Sequence, residues 1–125
     1  MSNSKPILCL DFDGVCHSYT SGWKGASCIP DRPVPGMWNF LEAAFHHFEL
    51  HIFSSRSHEE GGIDAMKAWF LKHANTGFRQ DIAGKFLHFP LHKPPAFVTL
   101  DDRALCFTGV WPTMSALIDF RPWNR

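Results

Sequence analysis

A chain of 125 residues, 45% of them apolar, suits one domain whose core needs neither disulfides nor a structural metal. Its formal net charge is zero, so no broad nucleic-acid-binding face is indicated, although a nucleic-acid partner is left open. No apolar run approaches the length of a membrane span, and the polar start from Met1 to Pro6 lacks the apolar centre of a secretory leader, so a cytoplasmic protein with no membrane partner is expected.

Ile7-Leu8-Cys9-Leu10 is an apolar run too short for a helix and ended by acidic residues and glycine, which predicts a strand buried on both faces. Residues 15 to 35 are rich in Gly, Ser and Pro and predict a loop with a small hairpin. Met37, Phe40, Leu41, Ala44, Phe45 and Phe48 then fall on one helical face, opened by Pro35-Gly36. A second strand is predicted at Leu50-His51-Ile52-Phe53, ending at Ser54-Ser55-Arg56. Ser57-His58-Glu59-Glu60 has the form of a capping box, and Ile63, Met66, Trp69 and Phe70 give the next helix its buried face, stopped at Asn75-Thr76-Gly77. A short strand is expected near Phe86 to Phe89, another at Ala96 to Leu100, and a last helix from about Pro112 to Asp119. Strands alternating with helices predict an α/β fold, a three-layer sandwich with a mainly parallel central sheet in a single domain over 1–125.

The four cysteines, Cys9, Cys16, Cys28 and Cys106, fall in no metal-ligand spacing and read as free, buried thiols. The eight histidines raise zinc, but His46 and His47 near a helix C-terminus are explained more simply by the helix dipole, and His51 opens a strand. The tryptophans read mostly as core or loop anchors, with Trp23 placed where it would be able to touch a ligand.

In such sheets ligands bind beyond the carboxyl ends of the strands. Asp11 and Asp13 follow the first strand, Ser54, Ser55 and Arg56 the second, and Asp101 and Asp102 the last. Crowded carboxylates repel unless a cation lies between them, and hard oxygen ligands with incomplete protein coordination favour magnesium. A carboxylate beside that ion is a candidate covalent nucleophile toward phosphorus, and a second one two residues on is a candidate acid and base. Gly14 lets the backbone turn beside the phosphate, Ser54 is placed to hydrogen-bond a phosphoryl oxygen, and Lys93 or Arg56 to offset its charge. Asp101-Asp102 alone would read as a turn cap, Arg56 and Arg103 equally as salt-bridge partners, and Lys85 competes with Lys93.

Leu-Asp-Phe-Asp-Gly-Val at 10–15 resembles the first motif of the haloacid dehalogenase superfamily. Ile52-Phe53-Ser54 resembles its second motif, Lys93 in His-Lys-Pro-Pro-Ala its third, and Leu100-Asp101-Asp102 its acidic fourth, in the same order and over nearly the whole chain. The resemblance implies a Rossmann-like, Mg2+-dependent phosphomonoester hydrolase. Asp11 would form an aspartyl-phosphate, Asp13 would be general acid and base, Ser54 would hold the phosphoryl group and Lys93 would steady its charge. Magnesium would be held by the Asp11 side chain, the Asp13 backbone carbonyl, and Asp101 or Asp102. An aspartate at the position of Asp13 marks phosphate-handling members rather than dehalogenases. Ser54-Ser55-Arg56 and Asp101-Asp102-Arg103 also resemble the phosphatase half of bacteriophage polynucleotide kinase, which would put Gly14, Ser55 and Arg56 against a phosphorylated substrate. The segments after Val15 and between Arg56 and Lys93 are too short for a substantial cap domain, so an open site is expected. The motifs specify neither the class of phosphorylated substrate nor the oligomeric state. Two alternatives share the same residues: a phosphate-binding regulatory module without turnover, and a nucleic-acid end-processing 3′-phosphatase.

Overall fold

The computed structural model describes residues 4–124. Four strands, β1 (Ile7–Leu10), β2 (Glu49–Ile52), β3 (Leu87–His88) and β4 (Val98–Leu100), form one all-parallel sheet in the order β3-β2-β1-β4. The helices are α1 (Met37–Ala44), α2 (Gly62–His73), α3 (Gly77–Asp81) and α4 (Met114–Ile118). The chain steps from β1 outward to β2 and β3, then returns to place β4 on the other side of β1. The direction of winding therefore reverses between β1 and β4, which makes their carboxyl ends the topological switch point.

Alternation along the strands separates two faces. Leu8, Leu10, Leu50, Ile52 and Leu87 join one core cluster with Met37, Leu41, Met66, Trp69, Phe70 and Ile82. Ile7, Cys9, Glu49 and His51 alternate with these residues and point to the opposite face. Phe12 continues the core beyond β1, its ring 5.0 Å from Trp69 edge-on and 5.7 Å from Phe70.

Several boundaries differ from the sequence expectation. Helix α1 stops at Ala44 instead of running to Phe48, and its buried face uses Trp38 while Phe40 is exposed. Trp38 is a larger apolar body than Phe40, and it rotates the helix to pack edge-on against Phe70. His46 and His47 consequently lie in a turn beyond the helix. The capping box forms at Ser54 and Ser57, one turn earlier than Ser57-Glu60, and closes a 3₁₀ turn over Ser55–His58. Thr76 does not merely end α2; its side chain caps the unpredicted α3, which runs on into a π turn at Ile82–Phe86. Arg79 of α3 reaches back to Glu42 of α1 at 3.2 Å and to Asn39 at 3.1 Å. Strand β4 is short and exposed along its length, unlike β1. Cys9 and Cys16 are buried, but Cys28 and Cys106 are exposed, and all four are free. Trp38 and Trp69 are core residues, whereas Trp23, Trp111 and Trp123 are exposed. Among the described residues no helix is long and apolar enough to cross a membrane.

Phe70 is fully buried and touches Phe12 beyond β1, Trp38 of α1 and Trp69 of α2. Phe70→Ala is expected to cost about 3–5 kcal/mol of unfolding free energy in urea titration; a loss below about 1 kcal/mol would show that this cluster is not the centre of the core.

Candidate functional site

The backbone itself joins the ends of the central strands. Asp11 N–H donates to the Leu100 carbonyl at 2.9 Å, and Phe53 N–H donates to the Leu10 carbonyl at 3.1 Å. These bonds carry the sheet one residue past β1 and β2, so Asp11, Ser54 and Asp101-Asp102 arrive at one edge. Asp11, Asp13, Tyr19, Trp23, Ser54, Ser55 and Arg103 line a pocket of about 320 Å³ there.

Asp11, Asp101 and Asp102 bring one carboxylate oxygen each to within 4.8 Å of one another. Burial above all, together with the Asp101 and Asp102 charges, pushes the Asp11 carboxyl up to about 8, against a lowering hydrogen bond from the Phe12 backbone. The two members of the acidic pair differ. Asp101 is exposed and accepts the Arg103 backbone N–H at 2.9 Å. Both Asp102 carboxylate oxygens are buried and receive no hydrogen bond. Asp102 packs onto Gly14, where a Cβ would collide with its carboxylate, and Gly14 has φ +85° besides. Glycine is thus required twice at this position, by the turn and by the neighbouring carboxylate.

Asp13 faces a different environment. Its carboxylate takes Arg56 Nε at 2.9 Å and Nη2 at 3.1 Å on its two oxygens, and His17 Nδ1 at 2.9 Å. Burial pushes Asp13 up, but the His17 and Arg56 hydrogen bonds outweigh it and hold the carboxyl below the usual range. His17 is fully buried, and its Nε2 accepts the Asp31 backbone N–H at 3.1 Å, so the ring proton lies on Nδ1, facing Asp13. Asp31 is fixed in turn by Ser21, whose backbone N–H and hydroxyl donate to its carboxylate at 2.7 and 2.6 Å, and by Trp69, whose indole donates to its carbonyl at 2.9 Å.

Arg56, expected at the substrate, is fully buried and committed elsewhere. Besides Asp13, it donates through Nη1 to the carbonyls of Gly25, Ala26 and Cys28 at 2.8, 2.9 and 3.3 Å. Gly62 leaves room for the Arg56 carbonyl, with which a Cβ would collide. Ser54 is buried, and its hydroxyl accepts the Arg56 N–H at 3.1 Å, which leaves its own O–H to donate into the pocket. Ser55 reaches the pocket as expected. Lys93 is exposed and outside the pocket wall; its charge is felt at the Cys9 thiol, as are those of Asp11 and Asp101. Its competitor Lys85 pairs with Asp81 at 3.5 Å on the surface. Asp13 contributes no side-chain oxygen to the acidic cluster.

The loop residues His17, Tyr19 and Asp31 were missed in the sequence because no helix or strand period marks them; the only signal was a histidine four residues after Asp13. The structure also groups His51 with Glu49, at 2.6 Å, and with His88, whose ring lies 4.7 Å away, instead of with His47.

No family model matches the chain, and neither a curated protein nor a solved structure matches it. The chemistry of the site therefore rests on its own residues.

A guanidinium that neutralises Asp13 and satisfies three carbonyls cannot be removed without leaving buried charge and unpaired acceptors. Arg56→Ala is expected to lower the unfolding free energy by about 3–5 kcal/mol, and Arg56→Lys, which lacks the planar fork, to recover only part of it. A loss under about 1 kcal/mol in denaturant titration, for either variant, would contradict this role.

Proposed function

We propose that the protein is a magnesium-dependent hydrolase of phosphomonoesters, of the haloacid dehalogenase type, with an aspartyl-phosphate intermediate. The observation that carries this reading is the convergence of Asp11, Asp101 and Asp102 beside Asp13 and Ser54 at the switch point of a parallel sheet.

The donor set fits a hard divalent cation. Three carboxylates lie together, Asp102 is buried without a hydrogen-bond donor, and among the described residues no basic side chain hydrogen-bonds to Asp11, Asp101 or Asp102. Two such carboxyls remain together only with a proton between them or a cation beside them. Asp11 and Asp102 would hold the ion, with the Asp13 carbonyl, while exposed Asp101 shapes the turn through Arg103. When bound, the ion supplies charge neutralisation for the phosphoryl oxygens and for Asp11.

The chain's own residues then perform a two-step displacement. An Asp11 carboxylate oxygen attacks phosphorus, the bond from phosphorus to the leaving oxygen breaks, and that oxygen takes a proton through Asp13. In the second step water attacks phosphorus, the Asp11–phosphorus bond breaks, and Asp13 accepts the proton of the water. Arg56 and His17 hold Asp13 ionised, which suits the second step; for the first, Asp13 takes up a proton from solvent and passes it to the leaving oxygen, while neutral His17 only orients the carboxyl. Ser54 donates to a phosphoryl oxygen, and positive charge comes from Arg103, which lines the pocket, or from exposed Lys93 outside its wall. The site is read as open, without a substantial cap.

A generic aryl phosphate with and without magnesium tests this reading. Wild-type turnover is expected to vanish on chelation and in Asp11→Asn, and to fall at least about a hundredfold in Asp13→Asn. Turnover that survives both chelation and Asp11→Asn would sink it.

A further inference from the structure

Two aromatic residues, Trp23 and Tyr19, line the pocket together with Asp11, Asp13, Ser54, Ser55 and Arg103. Trp23 lies in the loop after β1, yet it is not a loose side chain. The Arg56 guanidinium sits over one face of the indole, 4.7 Å from its centroid, and Arg56 is itself fixed by Asp13 and by the Gly25, Ala26 and Cys28 carbonyls, which follow Trp23 in the same loop. Further along, the loop is clamped where Ser18 N–H donates to the Arg32 carbonyl at 2.9 Å and Val34 N–H to the Cys16 carbonyl at 2.8 Å.

With Arg56 over the indole, Trp23 still remains 50% exposed. The exposed part borders a cavity of about 320 Å³, at the small end of the range for small-molecule sites. A rigid, half-exposed indole beside a phosphate-handling centre is a stacking platform, and the cation beneath it fixes its plane in advance, so little ordering cost is left for binding.

Building on the phosphatase reading, we propose that the site takes a phosphomonoester whose leaving group carries a flat aromatic ring, stacked on Trp23. A nucleobase and a simple aryl ring share that chemistry. Stacking of one ring on such a platform changes affinity by about 5- to 100-fold.

The test compares kcat and KM for 3′- and 5′-nucleoside monophosphates, a 3′-phosphorylated dinucleotide and benzyl phosphate with those for ribose 5-phosphate and glycerol phosphate. The wild type, Trp23→Phe and Trp23→Ala are each measured with magnesium. The ring-bearing substrates are expected to exceed the aliphatic ones at least about tenfold in kcat/KM, chiefly through KM. Trp23→Phe keeps most of that ratio and Trp23→Ala erases it. Preference for the nucleoside phosphates over benzyl phosphate assigns the ring as a base; equal rates assign any aromatic group. Hydrolysis of both classes without preference, or a Trp23→Ala variant that slows both classes equally, overturns the stacking role and leaves the phosphatase reading intact. Absence of all hydrolysis instead defeats the phosphatase reading. Stacking is then judged by tryptophan fluorescence: quenching by adenosine monophosphate but not ribose 5-phosphate, reduced in Trp23→Phe, supports it, and no such difference overturns it.

Discussion

The ion pair between Arg56 and Asp13 is the interaction on which the rest of this architecture depends. It joins the segment that follows β2 to the turn that follows β1, and it does so inside the protein, where an unpaired charge is far more costly than at the surface. Arg56 spends its remaining donors on three carbonyls of the loop that follows β1, so one side chain fixes a strand end, a carboxylate and a loop together. Gly62 admits its backbone carbonyl, and Trp23 lies over its guanidinium plane.

This pairing also divides the acidic residues into two kinds. Asp13 has a cation and a histidine of its own and is kept ionised. Asp11 and Asp102 have neither; they lie together at the switch point, with burial pushing the Asp11 carboxyl up. Environments that push neighbouring carboxyls in opposite directions are the usual basis for dividing catalytic labour between them. The same contrast sets the Asp11, Asp101 and Asp102 cluster apart from Asp13.

Much of this was legible in the sequence. β1, the Asp-Phe-Asp-Gly turn and the buried face of α2 carry strong local signals: a short apolar run, a glycine with two reasons to be there, and apolar residues at helical spacing. The polar strand ends then placed Asp11, Ser54 and Asp101-Asp102 at one sheet edge from order alone. What failed depended on tertiary competition. Trp38 displaced Phe40 from the buried face of α1, and Ser54 took the capping role that Ser57 had promised. Arg56 read equally as a substrate ligand and as a salt-bridge partner; only the folded loop reveals its pairing with Asp13 and three carbonyls waiting for it. His17 and Asp31 lie fourteen residues apart in an aperiodic stretch, so their contact had no pattern to betray it. That Asp101 takes a backbone donor while Asp102 takes none likewise has no signal in the sequence.

The central claim is that Asp11 receives the phosphoryl group, and trapping tests it most directly. The protein would be mixed with magnesium and a reactive phosphomonoester, quenched in acid during turnover, digested and mapped by mass spectrometry. The account predicts one phosphoryl group on the peptide that contains Asp11, localised to that residue and absent after chelation. Steady turnover with the phosphoryl group on His17 or any other residue would contradict it.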